Sequence, residues 1–138
     1  MSISAEHVGR QYPSPPVTVT EDRIARFADA LGDPNPAYRG PAAIAPPTFA
    51  FTMASFQDVL DDPELGLVLA RTIHGDQSFE FERPVRVGDV VTSVATIEKV
   101  RSRSNTDMIT VAVSLDTADG PIGVARATLF HSRAEDPA

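Results

Sequence analysis

The spacing of hydrophobic positions changes near residue 67. Before it, apolar residues recur at three- and four-residue intervals; after it, they alternate. Ile24, Phe27, Ala28 and Leu31 stand at i, i+3, i+4 and i+7, which predicts an amphipathic helix with these four on its buried face. Thr20 is placed to cap that helix, and Glu21 and Asp22 meet the positive end of its dipole. Gly32 is placed to close it. A second helix is expected from about Pro47 to Leu60, since proline suits a first helical position. Phe49, Met53, Phe56 and Leu60 form one stripe. Ala50, Phe51, Ala54 and Val59 make the other faces apolar, as in a buried central helix. Asp61-Asp62-Pro63 stops it.

From Leu67 onward the pattern is that of strands. Phe79-Glu80-Phe81-Glu82 alternates up to Pro84, and Val87-Gly88-Asp89 makes a turn. A run from Val90 to about Arg103 follows, then a turn at Ser104-Asn105. Ile109, Val111, Val113 and Leu115 alternate with Thr110, Ala112 and Ser114. Asp119-Gly120 closes a hairpin, and a last strand spans Ile122 to His131. Upstream, residues 4–9 suit one helical turn and Val17 to Thr20 a short strand. Eight of the twelve prolines lie between Pro13 and Pro47, so the first third is built of short, stiff pieces. The expected core is Phe49, Met53 and Phe56, with Phe79 or Phe81 facing them. Helices followed by long antiparallel strands make an α+β domain whose sheet covers the buried helix. One helix covers only one face, which leaves sheet surface for water or a partner.

At 138 residues a single domain, 1–138, is expected, with 132–138 as a frayed tail. A net charge of −7 argues against nucleic acid or an anionic membrane as partner. The absence of cysteine excludes a disulfide framework, a thiolate metal site and a cysteine nucleophile. The opening MSISAEHVGR lacks the apolar core of an export signal, and no run of 18 apolar residues occurs. A cytoplasmic location is therefore the expectation. His7, His74 and His131 are scattered without metal-ligand spacing, so no metal is expected. His7 and His131, near the termini, are expected to be solvated. His74 is expected to approach the core, as a hydrogen-bonded strand histidine shaping Gly75 and Gln77 in preference to a replacement base or part of an acyl-binding wall.

Candidate chemistry centres on Gly32-Asp33-Pro34-Asn35-Pro36-Ala37-Tyr38, followed by Ile44-Ala45-Pro46-Pro47-Thr48-Phe49. An acid at a helix end, a polar side chain five residues on, and a helix start are the layout of a site for a polarised carbonyl. Asp33 also suits a plain turn former in Asp-Pro-Asn-Pro. Tyr38 could orient Asp33 or simply pack. Arg83, Arg86, Lys99, Arg101 and Arg103 are the densest basic stretch. They could contact phosphates, or they could be a solvated edge that blocks aggregation.

The first of these segments resembles the hydratase motif of the MaoC-like dehydratases and (R)-specific enoyl-CoA hydratases. Pro46-Pro47-Thr48-Phe49, His74-Gly75-Asp76-Gln77 and Phe81 to Asp89 resemble the branch of that family called the N-terminal, type I fatty-acid-synthase-like dehydratase domain. The resemblance runs from His7 to about residue 131. It implies a hot-dog fold, a long central helix wrapped by a curved antiparallel sheet, acting on acyl thioesters of coenzyme A or acyl carrier protein with no separate cofactor. The implied reaction is reversible addition of water across an enoyl thioester, using an Asp and a His five residues apart. Asp33 matches the Asp, and Asn35 and Pro36 match the motif, but Tyr38 stands at the His position. A phenol with pKa about 10 does not accept water's proton as an imidazole near 6.5 does. Pro47 stands where a glycine N–H would form the oxyanion hole, and proline has none; the N–H of Thr48 is the candidate replacement.

The resemblance therefore implies candidate catalytic positions at Asp33, Tyr38 and His74, as remnant or replacement groups. Candidate substrate-binding positions are Asn35, Pro47, Thr48 and Phe49. The expectation is a substrate-holding subunit, as homodimer or as heterodimer with a catalytic MaoC-like chain. An active homodimeric hydratase using Asp33 with Tyr38 or His74, and an acyl-thioester binding module without chemistry, are the alternatives.

Overall fold

A computed structural model describes residues 2–133. The chain forms one five-stranded antiparallel sheet ordered β1-β3-β4-β5-β2, with helical segments on one face. The strands are β1 (Gln11–Thr18), β2 (Thr72–Phe81), β3 (Val90–Arg103), β4 (Thr106–Thr117) and β5 (Gly120–Ser132). The two helices are α1 (Glu21–Leu31) and α2 (Gln57–Asp61). The α+β reading holds.

The strands β3, β4 and β5 form a meander of hairpins. Their alternation is as read from the sequence. Val91, Ala95, Ile97, Ile109, Val111, Val113, Leu115, Ala125, Ala127 and Leu129 are buried on the helical face. The strand β1 is longer than expected and contains Pro13, Pro15 and Pro16. It can, because it lies on a sheet edge and breaks register between Ser14 and Val17 at the proline pair. At the other edge, β2 pairs with β5. There the strands touch so closely that a Cβ on Gly123 would collide with the Glu80 carbonyl oxygen.

Helix α1 begins as its sequence predicts. The Thr20 hydroxyl accepts the Arg23 N–H at 3.2 Å, and Gly32 closes the helix at φ +70°. Ile24 and Ala28 are buried and Phe27 is half-buried, but Leu31 is 54% exposed. The last turn runs past the edge of the core.

The expected continuous helix from Pro47 to Leu60 is not formed. Its place is taken by a 3-10 segment, Pro47–Thr52, an irregular stretch, and the short α2. Side chains here compete for backbone groups. The Thr52 hydroxyl donates to the Phe49 carbonyl at 2.8 Å, and the Ser55 hydroxyl accepts the Gln57 N–H at 3.1 Å. Even so, Phe49, Met53, Ala54, Val59 and Leu60 are buried, while Phe56 is only half-buried. Phe49 meets Phe27 edge-on at 5.5 Å. In β2, Phe79 packs against the core and stacks on Phe81, which is exposed.

A brace joins β1 to the end of α2. The Tyr12 hydroxyl donates to Asp62 at 2.6 Å, and Arg10 reaches Asp62 at 3.0 Å. The Tyr12 hydrogen bond is the main cause holding the Asp62 carboxyl below its usual range. The strand β5 continues to Ser132, and Arg133 is tied to Asp107, so the tail is ordered further than expected. Residues 134–138 of that expected tail lie outside the described residues.

Candidate functional site

The loop after α1 organises itself. The Asp33 Oδ1 accepts the Asn35 N–H at 3.0 Å, and the Asn35 Oδ1 accepts the Ala37 N–H at 3.0 Å. These are two successive turns in which a short polar side chain stands in for a backbone carbonyl. Arg39 locks them from outside. It donates to the Asp29 carboxylate at 2.6 Å and to the carbonyls of Asp33 and Asn35 at 2.9 Å each. The carboxylate of Asp33 is thus engaged with its own loop. Tyr38, at the loop's end, packs half-buried against the core.

Beyond Tyr38 the chain runs antiparallel to the segment after β2. Ala45 N–H donates to the Val85 carbonyl at 2.7 Å, Val87 N–H to Ala43 at 3.1 Å, and Ile44 bridges Arg86. Between these segments lies a cleft of about 400 Å³. Tyr38, Ile44, Ala45, Pro46 and Pro47 line one wall, and Phe81, Glu82, Arg83, Pro84 and Val85 the other. The walls are mainly apolar. Arg83 is held in a bidentate pair with Asp89, at 2.9 and 3.0 Å. Burial pushes the Asp89 carboxyl up. The Arg83 pair and the Arg86 N–H outweigh it and hold the carboxyl below its usual range. The carboxylate of Glu82 makes no hydrogen bond or ion pair with the described residues.

Of the positions singled out in the sequence, Tyr38 and Pro47 share the cleft. Asp33 and Asn35 lie in the loop behind it, and neither lines it. Thr48 is exposed in the first turn of the 3-10 segment, where helix N–H groups lack an intrahelical acceptor. Phe49 is buried beneath it. His74 does not approach the core. It is exposed on β2, bonded to Gln77 at 3.0 Å and stacked on Phe51 at 5.6 Å. It lines a separate shallow depression with Gly75, Asp76 and Gln77. Tyr38 and His74 therefore line different depressions, and Asp33 lines neither. Sequence reasoning passed over Glu82, although its place at the end of the alternating run, beside Pro84, marks it as leaving the sheet.

A second polar cluster lies where β4 begins and β5 ends. Asp107 is 1% exposed and His131 4%. The expectation of a solvated His131 fails because Val68 and Asp107 enclose its ring. The Val68 N–H donates to Nε2 at 3.2 Å, so the ring proton sits on Nδ1, facing Asp107 at 3.4 Å. Ser102 donates to Asp107 at 2.6 Å, and Arg133 donates to it at 2.6 and 3.1 Å. Burial pushes the Asp107 carboxyl up, and these three partners, Arg133 foremost, outweigh burial and hold it below its usual range. The set contains Ser, His and Asp, but the Asp stands between the other two. Ser102 has no bond to the histidine, so this is not a nucleophile–base relay. His7 is likewise structural: its Nδ1 accepts the Ser4 N–H at 3.0 Å. Among the described residues, no group of three His, Cys, Asp or Glu could hold a metal, and no helix is long and apolar enough to cross a membrane.

The family described as FAS1-like, dehydratase domain region, matches residues 6–122. The chain is 51% identical over 139 residues to a UPF0336 protein of Cutibacterium acnes, covering 98% of both chains. It is 39% identical over 149 residues to a UPF0336 protein of Thermobifida fusca, covering 99% of this chain and 98% of the relative. Among solved structures it is similar to the C-terminally truncated HadBC (3R)-hydroxyacyl-ACP dehydratase complex of Mycobacterium tuberculosis. The TM-score is 0.80 at 24% identity, covering 93% of this chain and 99% of that one. It is also similar to an (R)-hydratase of A. caviae involved in PHA biosynthesis, with TM-score 0.67 and 22% identity over 94% and 99% of the two chains. These likenesses establish the hot-dog fold.

Proposed function

The chain belongs to the FAS1-like dehydratase domain region family, and on that premise we propose that it is the substrate-holding half of a paired hot-dog dehydratase. Its substrate class is the (3R)-hydroxyacyl or enoyl thioester, carried on coenzyme A or acyl carrier protein. The water chemistry comes from a MaoC-like partner subunit with an intact Asp–His pair. The observation that carries this reading is the composition of the cleft. It has apolar walls suited to an acyl chain, with Tyr38 and Pro47 at the two positions where chemistry needs a base and an N–H donor. Asp33, the one motif acid present, accepts the Asn35 N–H of its own loop and does not line the cleft.

Support for a partner comes from the sheet edge. On β2 and its neighbours, Ile73 is 68% exposed, and Phe130 and Phe51 are also exposed. An unpaired edge strand with apolar side chains invites a second sheet. The pairing is with a MaoC-like chain, or with a second copy when the protein is alone.

The test is hydration of crotonyl-CoA by the purified chain, alone and with a MaoC-like subunit carrying the Asp–His pair. Missing general-base catalysis costs roughly 10²–10⁴-fold, so the chain alone should fall at least that far below the pair. Ordinary turnover by the chain alone would sink the proposal in favour of an active homodimer.

A further inference from the structure

Resting on the acyl-chain reading of the cleft, we propose that Glu82 sets its charge selectivity, admitting the neutral thioester and turning away the free carboxylate of the same chain. Three observations lead there. Among the described residues, only Glu82 and Arg83 bring charge to the cleft lining. The Arg83 cation is cancelled by its bidentate pair with Asp89. Glu80, the nearest acid on the same strand, faces Arg126 instead and does not line the cleft. The cleft therefore presents apolar walls with one uncompensated negative charge.

That arrangement separates two ligands that the walls alone cannot tell apart. An acyl thioester and the fatty acid released by its hydrolysis bring the same hydrocarbon. They differ at the group next to the chain, a neutral thioester against a carboxylate; the phosphates of coenzyme A lie at the far end of its pantetheine arm, beyond a screening length of about 10 Å. Two like charges about 4 Å apart repel by about 1 kcal/mol even at the dielectric of water, roughly a fivefold change in affinity. The backbone of Glu82 is held at the rim of the cleft, since its N–H donates to the Ile122 carbonyl at 2.8 Å. A subunit that holds substrate for a partner benefits from such a filter, because free fatty acid would otherwise compete for the cleft.

The experiment titrates the full-length chain with decanoyl-N-acetylcysteamine and with decanoate by calorimetry at low salt. It is repeated with Glu82→Gln and Glu82→Lys. The ratio of the two affinities is compared between proteins, which removes any intrinsic preference for one head group. The ratio in the wild type should favour the thioester by roughly fivefold more than in Glu82→Gln, and Glu82→Lys should move it further towards decanoate. At about 1 M salt, where screening acts within about 3 Å, the difference should collapse. A ratio unchanged within twofold across the three proteins overturns the role of Glu82 and leaves the acyl-cleft reading standing. A thioester that binds none of them removes that reading, and this inference with it.

Discussion

The two polar regions of this molecule look alike in composition and differ in how their groups are used. Where β4 begins and β5 ends, Asp107, His131, Ser102 and Arg133 bond to one another and to the Val68 N–H. In the cleft, Tyr38 and Glu82 face open space with no side-chain hydrogen bond to the described residues, and Pro47 offers no donor at all. The first set holds the residues one would choose for catalysis and borders a polar hollow of about 400 Å³, yet its bonds are spent on one another and on the Val68 N–H. The second set looks inert and lines an apolar cleft of the same volume. A buried network that satisfies itself is architecture, whereas idle polar groups beside an apolar wall are available for recognition.

Substitutions in the two regions test that contrast. The largest effect should come from Asp107→Ala, which leaves Ser102, His131 and Arg133 without their common acceptor. A loss of about 3 kcal/mol in urea unfolding is expected, against less than about 0.5 kcal/mol for the exposed Glu82→Gln. Equal losses would erase the distinction. The pH dependence is next. The carboxyls of Asp107, Asp89 and Asp62 lie below their usual range in the folded chain. They contribute stability that is fully present above the unfolded value of about 3.9 and is lost as the pH falls through their folded values. Urea midpoints measured from pH 7 to pH 3 should be steady and then drop at the acid end, less steeply in Asp107→Ala. A drop of equal steepness in the variant would mean that Asp107 is not the linked group.

Ser102→Ala removes one donor from the network and should cost about 1 kcal/mol by the same urea measurement. Smallest of all, Tyr38→Phe deletes a hydroxyl that bonds to none of the described residues, and stability should stay within about 0.5 kcal/mol. A substantial loss there would show that the phenol carries architectural weight after all.

The strand meander and α1 were legible because their signals are local: period-two alternation, turn pairs such as Asp119-Gly120, and the Thr20 and Gly32 caps. The central helix was not. Its apolar pattern is right for burial, and Phe49, Met53 and Leu60 are indeed buried. Periodicity, however, does not register that Thr52 and Ser55 draw on backbone groups the helix needs. The candidate site was half legible. The motif located Tyr38 and Pro47, because their places follow from chain order. It had His74 as a strand histidine bonded by Gln77, though nearer the core than it lies, and misjudged His131, because burial at a strand end depends on which segment folds over it. For His131 that segment is the Val68 region, 63 residues away in the chain.

The strand order also bears on how the chain reaches this structure. The meander of β3, β4 and β5 closes through hairpins between sequence neighbours, whereas Gln11 must find Thr96 and Thr72 must find His131. Closing long loops is entropically costly, so distant pairings tend to come late. The meander should therefore be the folding nucleus, with the two outer strands and the cleft assembled afterwards. In φ-value terms, Val113→Ala should act mainly on the folding rate and Val85→Ala mainly on unfolding; the reverse would put the nucleus at the cleft. A late-formed cleft can vary in lining from one descendant sequence to another without blocking the route to the fold.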